Sequence, residues 1–357
     1  VDAQGAGRWR TAAGSWLRAS NYARTAEFFL HIDPADPRIT STSRRAVDAF
    51  RAFARMHPGH DDLAGAVPLT DRNPVFPAMR MSEVTIPFGD AHLPGWWMTP
   101  GDDHDAVRPT LLALGGFDSI AEEMYFTVGK TAVEQGWNVL LFDGPGQGRV
   151  IREQGVHFRP DYEAPVSAVV DAVLGFPVVD ADRIALIGMS QGGYFAARAA
   201  AFEPRLAALV VWDGIYDVSS ANAALATPEI LEHIAAGRDD RADELIRSAA
   251  RDLPSLAWVV AKGTWTYGVD SPAEYFRRNE QYTLADGVAE RIACPTLVID
   301  AEADHSFRGQ PQVFADHLLA PHTLLRMSEA DGAGEHCNAG SVNRFQEALF
   351  DWLDATV

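Results

Sequence analysis

The stretch Arg183-Ile184-Ala185-Leu186-Ile187-Gly188-Met189-Ser190-Gln191-Gly192-Gly193-Tyr194 leads from an apolar, β-branched segment into an alanine-rich one that continues to Phe202. The first half reads as a buried strand and the second as a helix, so Ser190 falls on the sharp bend between them. A serine there is thrust out at the carboxyl edge of a sheet, and the unpaired N–H groups of the helix N-terminus stand ready for developing negative charge. Gly188 and Gly192 leave the chain room to fold back on itself around a strained residue. Glycine and serine are common, so the GxSxG spacing alone says little. The strand before it and the helix after it favour a nucleophile elbow over an ordinary N-cap serine.

Strand and helix patterns alternate around this bend. Strands are expected at 110–114, 137–142, 183–188 and 206–212, with helices at 121–135, 162–175 and 191–202. That order requires an α/β fold: a mostly parallel central sheet with helices on both faces and catalytic groups at the carboxyl ends of its strands. An antiparallel hairpin, 82–88 with 93–99 about Gly89-Asp90, should precede it. Residues 8–30 and 41–56 have helical spacing and no strand pattern, which makes 1–80 an N-terminal helical cap. After Trp212 the alternation breaks. Residues 218–290 read as an aromatic-rich helical lid inserted between core segments 81–217 and 291–357, hanging over the strands' carboxyl ends. Strands at 295–300 and 322–327, with helices at 310–318 and 341–354, complete the core.

Thirty basic against forty-nine acidic residues give a net charge of −19, which repels nucleic acid and anionic membranes. A small-molecule substrate is the expected partner, and a homodimer is compatible with this reading. The two cysteines, Cys294 and Cys337, are too few for a disulfide framework, and no CxxC or HExxH spacing occurs. Reduced thiols in a cytoplasm are therefore expected, as is the absence of a metal or other cofactor. No apolar run reaches the roughly eighteen residues that span a bilayer, and the first residues show no signal-peptide pattern.

A serine hydroxyl needs a base to take its proton and an acid to orient the base, and at this kind of elbow the chain order is serine, acid, histidine. Of the histidines after the lid, only His336 sits in a glycine-rich loop past the last strand, Asp331-Gly332-Ala333-Gly334-Glu335-His336-Cys337. The acid should follow the strand ending at Asp300. Asp304 reaches further over the sheet edge than Asp300, with Glu302 in reserve. For the oxyanion, Gln191 N–H supplies one donor. The second should come from Gly115-Gly116-Phe117-Asp118-Ser119, by Phe117 N–H or, failing that, Gly116 N–H. Asp118, Asp213 and Asp217, at strand ends, are further acids that could meet substrate, although each also suits a structural role. Trp258, Trp265 and Tyr267 in the lid could line a cavity or simply pack.

Two motifs carry less than they suggest. Asp143-Gly144-Pro145-Gly146-Gln147-Gly148 follows a strand but lacks the Lys-Ser/Thr ending of a P-loop and the GxGxxG spacing, so it reads as a tight turn flanking the site. Glu335-His336-Cys337 with Asp304 does not read as a metal site, because adjacent side chains rarely face one ion.

From about residue 80 to its end the chain resembles the α/β-hydrolase superfamily. More narrowly it is similar to the group that holds 2,6-dihydroxypseudooxynicotine hydrolase, fungal polyketide-shortening hydrolases of pigment biosynthesis and FrsA-type esterases. The resemblance rests on Arg18-Ala19-Ser20-Asn21-Tyr22 and Ala26-Glu27-Phe28-Phe29-Leu30, on the loops at 115–119, 143–148 and 332–337, on Gly188–Gly193, and on Gly309-Gln310-Pro311-Gln312. It implies an α/β-hydrolase fold with Ser190, Asp304 and His336 at triad positions. It also implies hydrolysis of a carbon–carbon bond beside a ketone, as in a β-diketone, with a carboxylesterase or thioesterase as the alternative. A non-enzymatic receptor on the same scaffold is a minor further reading.

Overall fold

The computed structural model describes residues 2–57, 59, 63, 79–101, 103 and 105–357. Its sheet has eight strands: β1 Met79–Phe88, β2 Ala91–Pro100, β3 Arg108–Leu114, β4 Asn138–Phe142, β5 Val179–Met189, β6 Ala208–Trp212, β7 Thr296–Ala301 and β8 His322–Met327. They lie in the order β1-β2-β4-β3-β5-β6-β7-β8. β1 and β2 form the expected hairpin, closed by Phe88 opposite Ala91, and β2 runs antiparallel to β4. Every later pair is parallel.

Burial on both faces explains why the middle strands read as continuous apolar runs; β4 and β6 are buried throughout. Side chains alternate between two cores, as a strand's period of two demands. Leu112, Leu140, Leu186 and Leu209 join the cluster on one face, while Leu111, Leu141, Ile187 and Val210 join the other. β5 lies between β3 and β6, so the loops after those strands flank its carboxyl end, and the loop after β7 comes next.

Among the described residues of the N-terminal region, a single helical turn at Asp2–Gly5 precedes two longer helices, Trp9–Phe28 and Arg38–Ala54, separated by a 3-10 turn over Phe29–Ile32 ahead of Asp33-Pro34. The insertion holds helices Pro228–Ala235, Asp239–Asp252, Pro254–Tyr267 and Pro272–Asn279. Three of these begin with proline, whose fixed φ and missing N–H suit a first turn. The Thr227 and Ser271 hydroxyls cap two of them through Ile230 N–H at 3.4 Å and Glu274 N–H at 3.2 Å. Among the described residues no helix is long and apolar enough to cross a membrane.

Two elements differ from expectation. The helix expected over 121–135 is broken by a π turn at Tyr125–Gly129, between Ala121–Met124 and Lys130–Glu134. A short helix, Gly148–Gln154, follows the 143–148 turn and was not expected. It begins at a glycine, has no capping side chain and lasts seven residues, too little for a periodic signal.

Candidate active site

Ser190 has φ 57° and ψ −129°, a conformation that a non-glycine residue adopts only under constraint. The packing supplies it. Ser190 N–H donates to Trp212 O at 2.9 Å, tying the elbow to the end of β6, and Gly193 N–H donates to Ser190 O at 2.7 Å. A Cβ at Gly188 would stand 1.8 Å from Gly192 O, and one at Gly192 would stand 2.4 Å from Gly115 O. Only glycines let the strand, the helix and the loop after β3 close on one another this tightly.

Ser190 Oγ lies 2.8 Å from His336 Nε2, and His336 Nδ1 lies 2.8 Å from Asp304 Oδ2. The other Asp304 oxygen accepts from Ser306 N–H at 2.7 Å and Phe307 N–H at 3.0 Å, which fixes the carboxylate's orientation. His336 opens a short turn with left-handed residues at Cys337 (φ 54°) and Asn338 (φ 51°). Asn338 holds that turn, accepting from Trp212 Nε1 at 2.8 Å and donating to Ala333 O at 2.6 Å. Burial disfavours a charged imidazole, but Asp213 and Asp304 outweigh it and raise His336 to about 9. Asp304 is shifted down, burial being overcome by its hydrogen bond to His336.

Gly116 packs onto Ser190: a Cβ there would lie 2.8 Å from Ser190 Cβ and 3.0 Å from Gln191 N. Among the described residues neither Gln191 N–H nor Phe117 N–H has an acceptor within the protein. The carbonyls of the same loop are engaged. Gln147 Nε2 donates to Gly115 O at 2.5 Å and Gly116 O at 3.0 Å, while Gln147 Oε1 accepts from Gly144 N–H at 3.0 Å. The 143–148 turn thus braces the loop after β3. Asp143 anchors it from below, accepting from Ala121 N–H at 2.7 Å and Arg149 N–H at 2.9 Å.

The remaining site residues fall into different environments. Asp213 is buried beside His336, 3.6 Å from its Nδ1, and accepts from Cys337 N–H at 3.1 Å and Cys337 Sγ at 3.0 Å. The donor atoms of Asp213, His336 and Cys337 lie within 4.8 Å of one another, close enough for a metal to bridge. Each is already committed, however, the imidazole to Asp304 and the thiol to Asp213. Asp118 pairs with Arg24 of the N-terminal helix at 2.8 Å. Asp217 caps a 3-10 turn through Ser219 N–H at 2.8 Å. Tyr267 Oη accepts from Gln191 Nε2 at 2.8 Å. The Trp258 ring lies 6.1 Å from Phe117 and stacks on Phe28 at 4.3 Å. Trp265 meets His31 at 5.5 Å. Sequence reasoning did not single out Arg24, Gln147 or the buried Lys262. For Lys262 the local pattern gives no signal: after Val259-Val260-Ala261 it reads as the polar edge of an amphipathic helix, yet it is buried.

Comparison with known proteins agrees with this architecture. Residues 74–260 match the family described as Esterase FrsA-like. Hydrolase LUC6 of Fusarium sp is 34% identical over 372 aligned residues, spanning 99% of this chain and 83% of that protein. The 20-hydroxy-prefusarin hydrolase FUS2 of Gibberella moniliformis is 32% identical over 362, spanning 97% and 81%. Among solved structures, 2,6-dihydroxy-pseudo-oxynicotine hydrolase shares the fold with a TM-score of 0.74 at 24% identity, covering 99% of this chain and 83% of that one. With an eight-stranded α/β-hydrolase sheet and relatives of this kind, the chain is a hydrolase and belongs to the FrsA-like esterase family.

Proposed function

We propose that this enzyme is a serine hydrolase in which Ser190 is the nucleophile, His336 the general base and Asp304 the residue that orients it, acting on a bulky acyl substrate. The observation that carries the reading is the pair of 2.8 Å contacts joining Ser190 Oγ, His336 and Asp304 at a strained elbow. As Oγ attacks the substrate carbonyl, its proton passes to His336 Nε2, and Gln191 N–H and Phe117 N–H receive the oxyanion. His336 then gives that proton to the departing group. Water, deprotonated by His336, attacks the acyl-enzyme and frees the acid and Ser190.

For the bond cleaved, we favour a carbon–carbon bond beside a ketone, as in a β-diketone or polyketide chain, whose leaving carbanion delocalises as an enolate. The aromatic wall of Phe28, Phe117, Trp258 and Tyr267 suits a bulky planar substrate. The names of two similar proteins, 20-hydroxy-prefusarin hydrolase and 2,6-dihydroxy-pseudo-oxynicotine hydrolase, indicate hydroxylated substrates. In this reading the N-terminal helices up to Ala54 and residues 218–290 act as cap and lid, the rest of the expected cap at 64–78 lying outside the described residues, and the free thiols Cys294 and Cys337 fit a reducing, cytoplasmic compartment. The second reading, a carboxylesterase or thioesterase, is favoured by the family's description as an esterase.

The test compares the purified enzyme on an aryl β-diketone and on matched esters and thioesters, with a fluorophosphonate to label the nucleophile. Labelling at Ser190 and faster diketone cleavage are expected. Ester turnover without diketone cleavage would establish the second reading, and full turnover by Ser190→Ala would remove both.

A further inference from the structure

Lys262 is 1% exposed, an unusual place for an amine. It lies on the same face of helix Pro254–Tyr267 as Trp258 and Trp265, four residues after one and three before the other. Among the described residues its Nζ has neither a hydrogen-bond nor an ion-pair partner; it sits 4.7 Å from the centre of the Trp265 ring. The carboxylates around it are already taken. Glu27 accepts from Arg152 Nε at 2.8 Å and Nη2 at 3.0 Å and from His31 Nε2 at 2.6 Å, and Asp118 accepts from Arg24 at 2.8 Å.

The magnitudes do not balance within the protein alone. A cation–π contact contributes about 0.5 to 2 kcal/mol, whereas burying an amine without a partner costs several kcal/mol. A methionine or leucine would fill the same space without that cost. The amine is therefore explained by something that arrives from outside the chain. The direction is marked by Trp258, one turn earlier, whose ring lies 6.1 Å from Phe117 of the loop that presses on Ser190. Asp118, next to Phe117, is close enough to interact electrostatically with both Lys262 and His336. The amine thus shares a wall with the reacting centre.

We infer that Lys262 binds an acidic oxygen of the substrate, an enol, phenol or carboxyl held away from the bond that breaks, and so makes the enzyme selective for acyl substrates that carry one. The inference rests on Ser190 being the nucleophile of the same site. Burial, with Arg152 adding to it, holds the Lys262 amine well below its ordinary range, which favours the neutral form in the free enzyme. On binding, Nζ gains a proton, from the substrate O–H where that is an enol or phenol and from solvent water where it is a carboxyl that arrives already ionised, and the ammonium and the oxyanion pair. The surrounding rings of Phe28, Trp258 and Trp265 exclude water from that pair and strengthen it.

The test uses the full chain and three matched aryl β-diketones or esters: one with an ortho hydroxyl, one with a carboxyl in its place, and one with a methyl ether. The wild type should prefer the first two over the third, and the arm with the higher kcat/KM tells phenol or enol from carboxyl. In Lys262→Met that preference should fall on the order of 100-fold, carried mainly by KM, because an oxyanion left in the pocket would be unpaired. The variant should melt no lower than the wild type, since an unpartnered buried amine has been removed. An unchanged preference would overturn the inference, and so would a fall in melting temperature of about 5 °C or more, which would mark the amine as structural. Fluorophosphonate labelling of the wild type separates the two readings: failure to label Ser190 removes the nucleophile, whereas normal labelling with no preference for an acidic oxygen removes only the role of Lys262.

Discussion

Asp213 and Asp304 address the same nitrogen of His336, with Asp304 Oδ2 at 2.8 Å from Nδ1 and Asp213 Oδ2 at 3.6 Å. Only the nearer one is a hydrogen bond. The farther one acts through charge, and its own environment holds it in place: the side chain is fully buried and turned toward Cys337 by the thiol and the N–H. Burial pushes the Asp213 carboxyl up, while the neighbouring imidazole works against that shift.

The pH profile should report this pairing. His336, raised to about 9, must lose its proton to act as a base, so kcat/KM should rise with pH toward a limb set by that group. Asp213→Asn removes one charge that favours the imidazolium, and the limb should move to lower pH by roughly one unit. Asp304→Asn should instead cost about 10⁴-fold in kcat, through loss of the correct tautomer. An unmoved limb in Asp213→Asn would show that the imidazole does not feel that carboxylate.

His305 tests the choice of base. It is exposed, with its ring centre 5.9 Å from that of His336. His305→Ala, like Asp300→Asn, should change kcat/KM by no more than a factor of about three, the usual effect of a surface substitution. His336→Ala should remove nearly all turnover. Steady-state kinetics on the three variants decides the matter, and a lethal His305→Ala would reverse the assignment.

Gln147 should matter for turnover although it is separated from the serine by the loop it braces. Its two bonds to Gly115 O and Gly116 O keep those peptide planes from turning. Gln147→Ala should lower kcat by about 10- to 100-fold with KM little changed, because the N–H groups would no longer be aimed before charge develops. Gln147→Glu should be at least as damaging, since it places an acceptor where a donor is required. A loss confined to KM would argue against this role.

Stability should depend on one long-range ion pair. Glu27 and Arg152 are 3% and 1% exposed, and burial of Glu27 is outweighed by Arg152, which shifts its carboxyl far down. Glu27→Gln leaves the guanidinium buried without its counter-charge and should cost on the order of 3 kcal/mol. Thermal denaturation at neutral pH measures it. By the sign of the shift, the wild-type contribution is present above the ordinary glutamate range and is lost only as pH falls well below it. A melting point within a degree or so of the wild type would show the pair to be dispensable.

The parts of this design that could be read from sequence are those carried by local pattern. β4 and β6 are apolar because both faces are covered, and the parallel pairing follows from alternation with helices, although the strand order, with β4 beside β2 and ahead of β3, does not. Ser190 declares itself by the glycines that its bend demands, and Asp304 and His336 by lying on the loops after the last two strands. What could not be read depends on contacts between distant segments. Lys262 follows Val259-Val260-Ala261 and looks like the polar edge of an amphipathic helix; its burial comes from the N-terminal helices. Asp213 was one acid among several until Cys337 folded onto it. Gln147 looked like part of a turn because its partners, Gly115 and Gly116, lie across the sheet edge.

The indole of Trp258 donates to Phe28 O at 2.7 Å, across 230 positions of chain. Neither residue can find the other until the sheet between them has brought both helical segments to the same edge, and contacts so far apart in sequence form late because their loops must close first. The wall that would choose the substrate is therefore expected to assemble late. Pulse-labelled hydrogen exchange during refolding should show β3 to β6 protected while the Trp258 indole still exchanges; simultaneous protection would contradict that order. A chain caught before this step would hold a formed sheet and elbow with no pocket wall, a strained serine without discrimination.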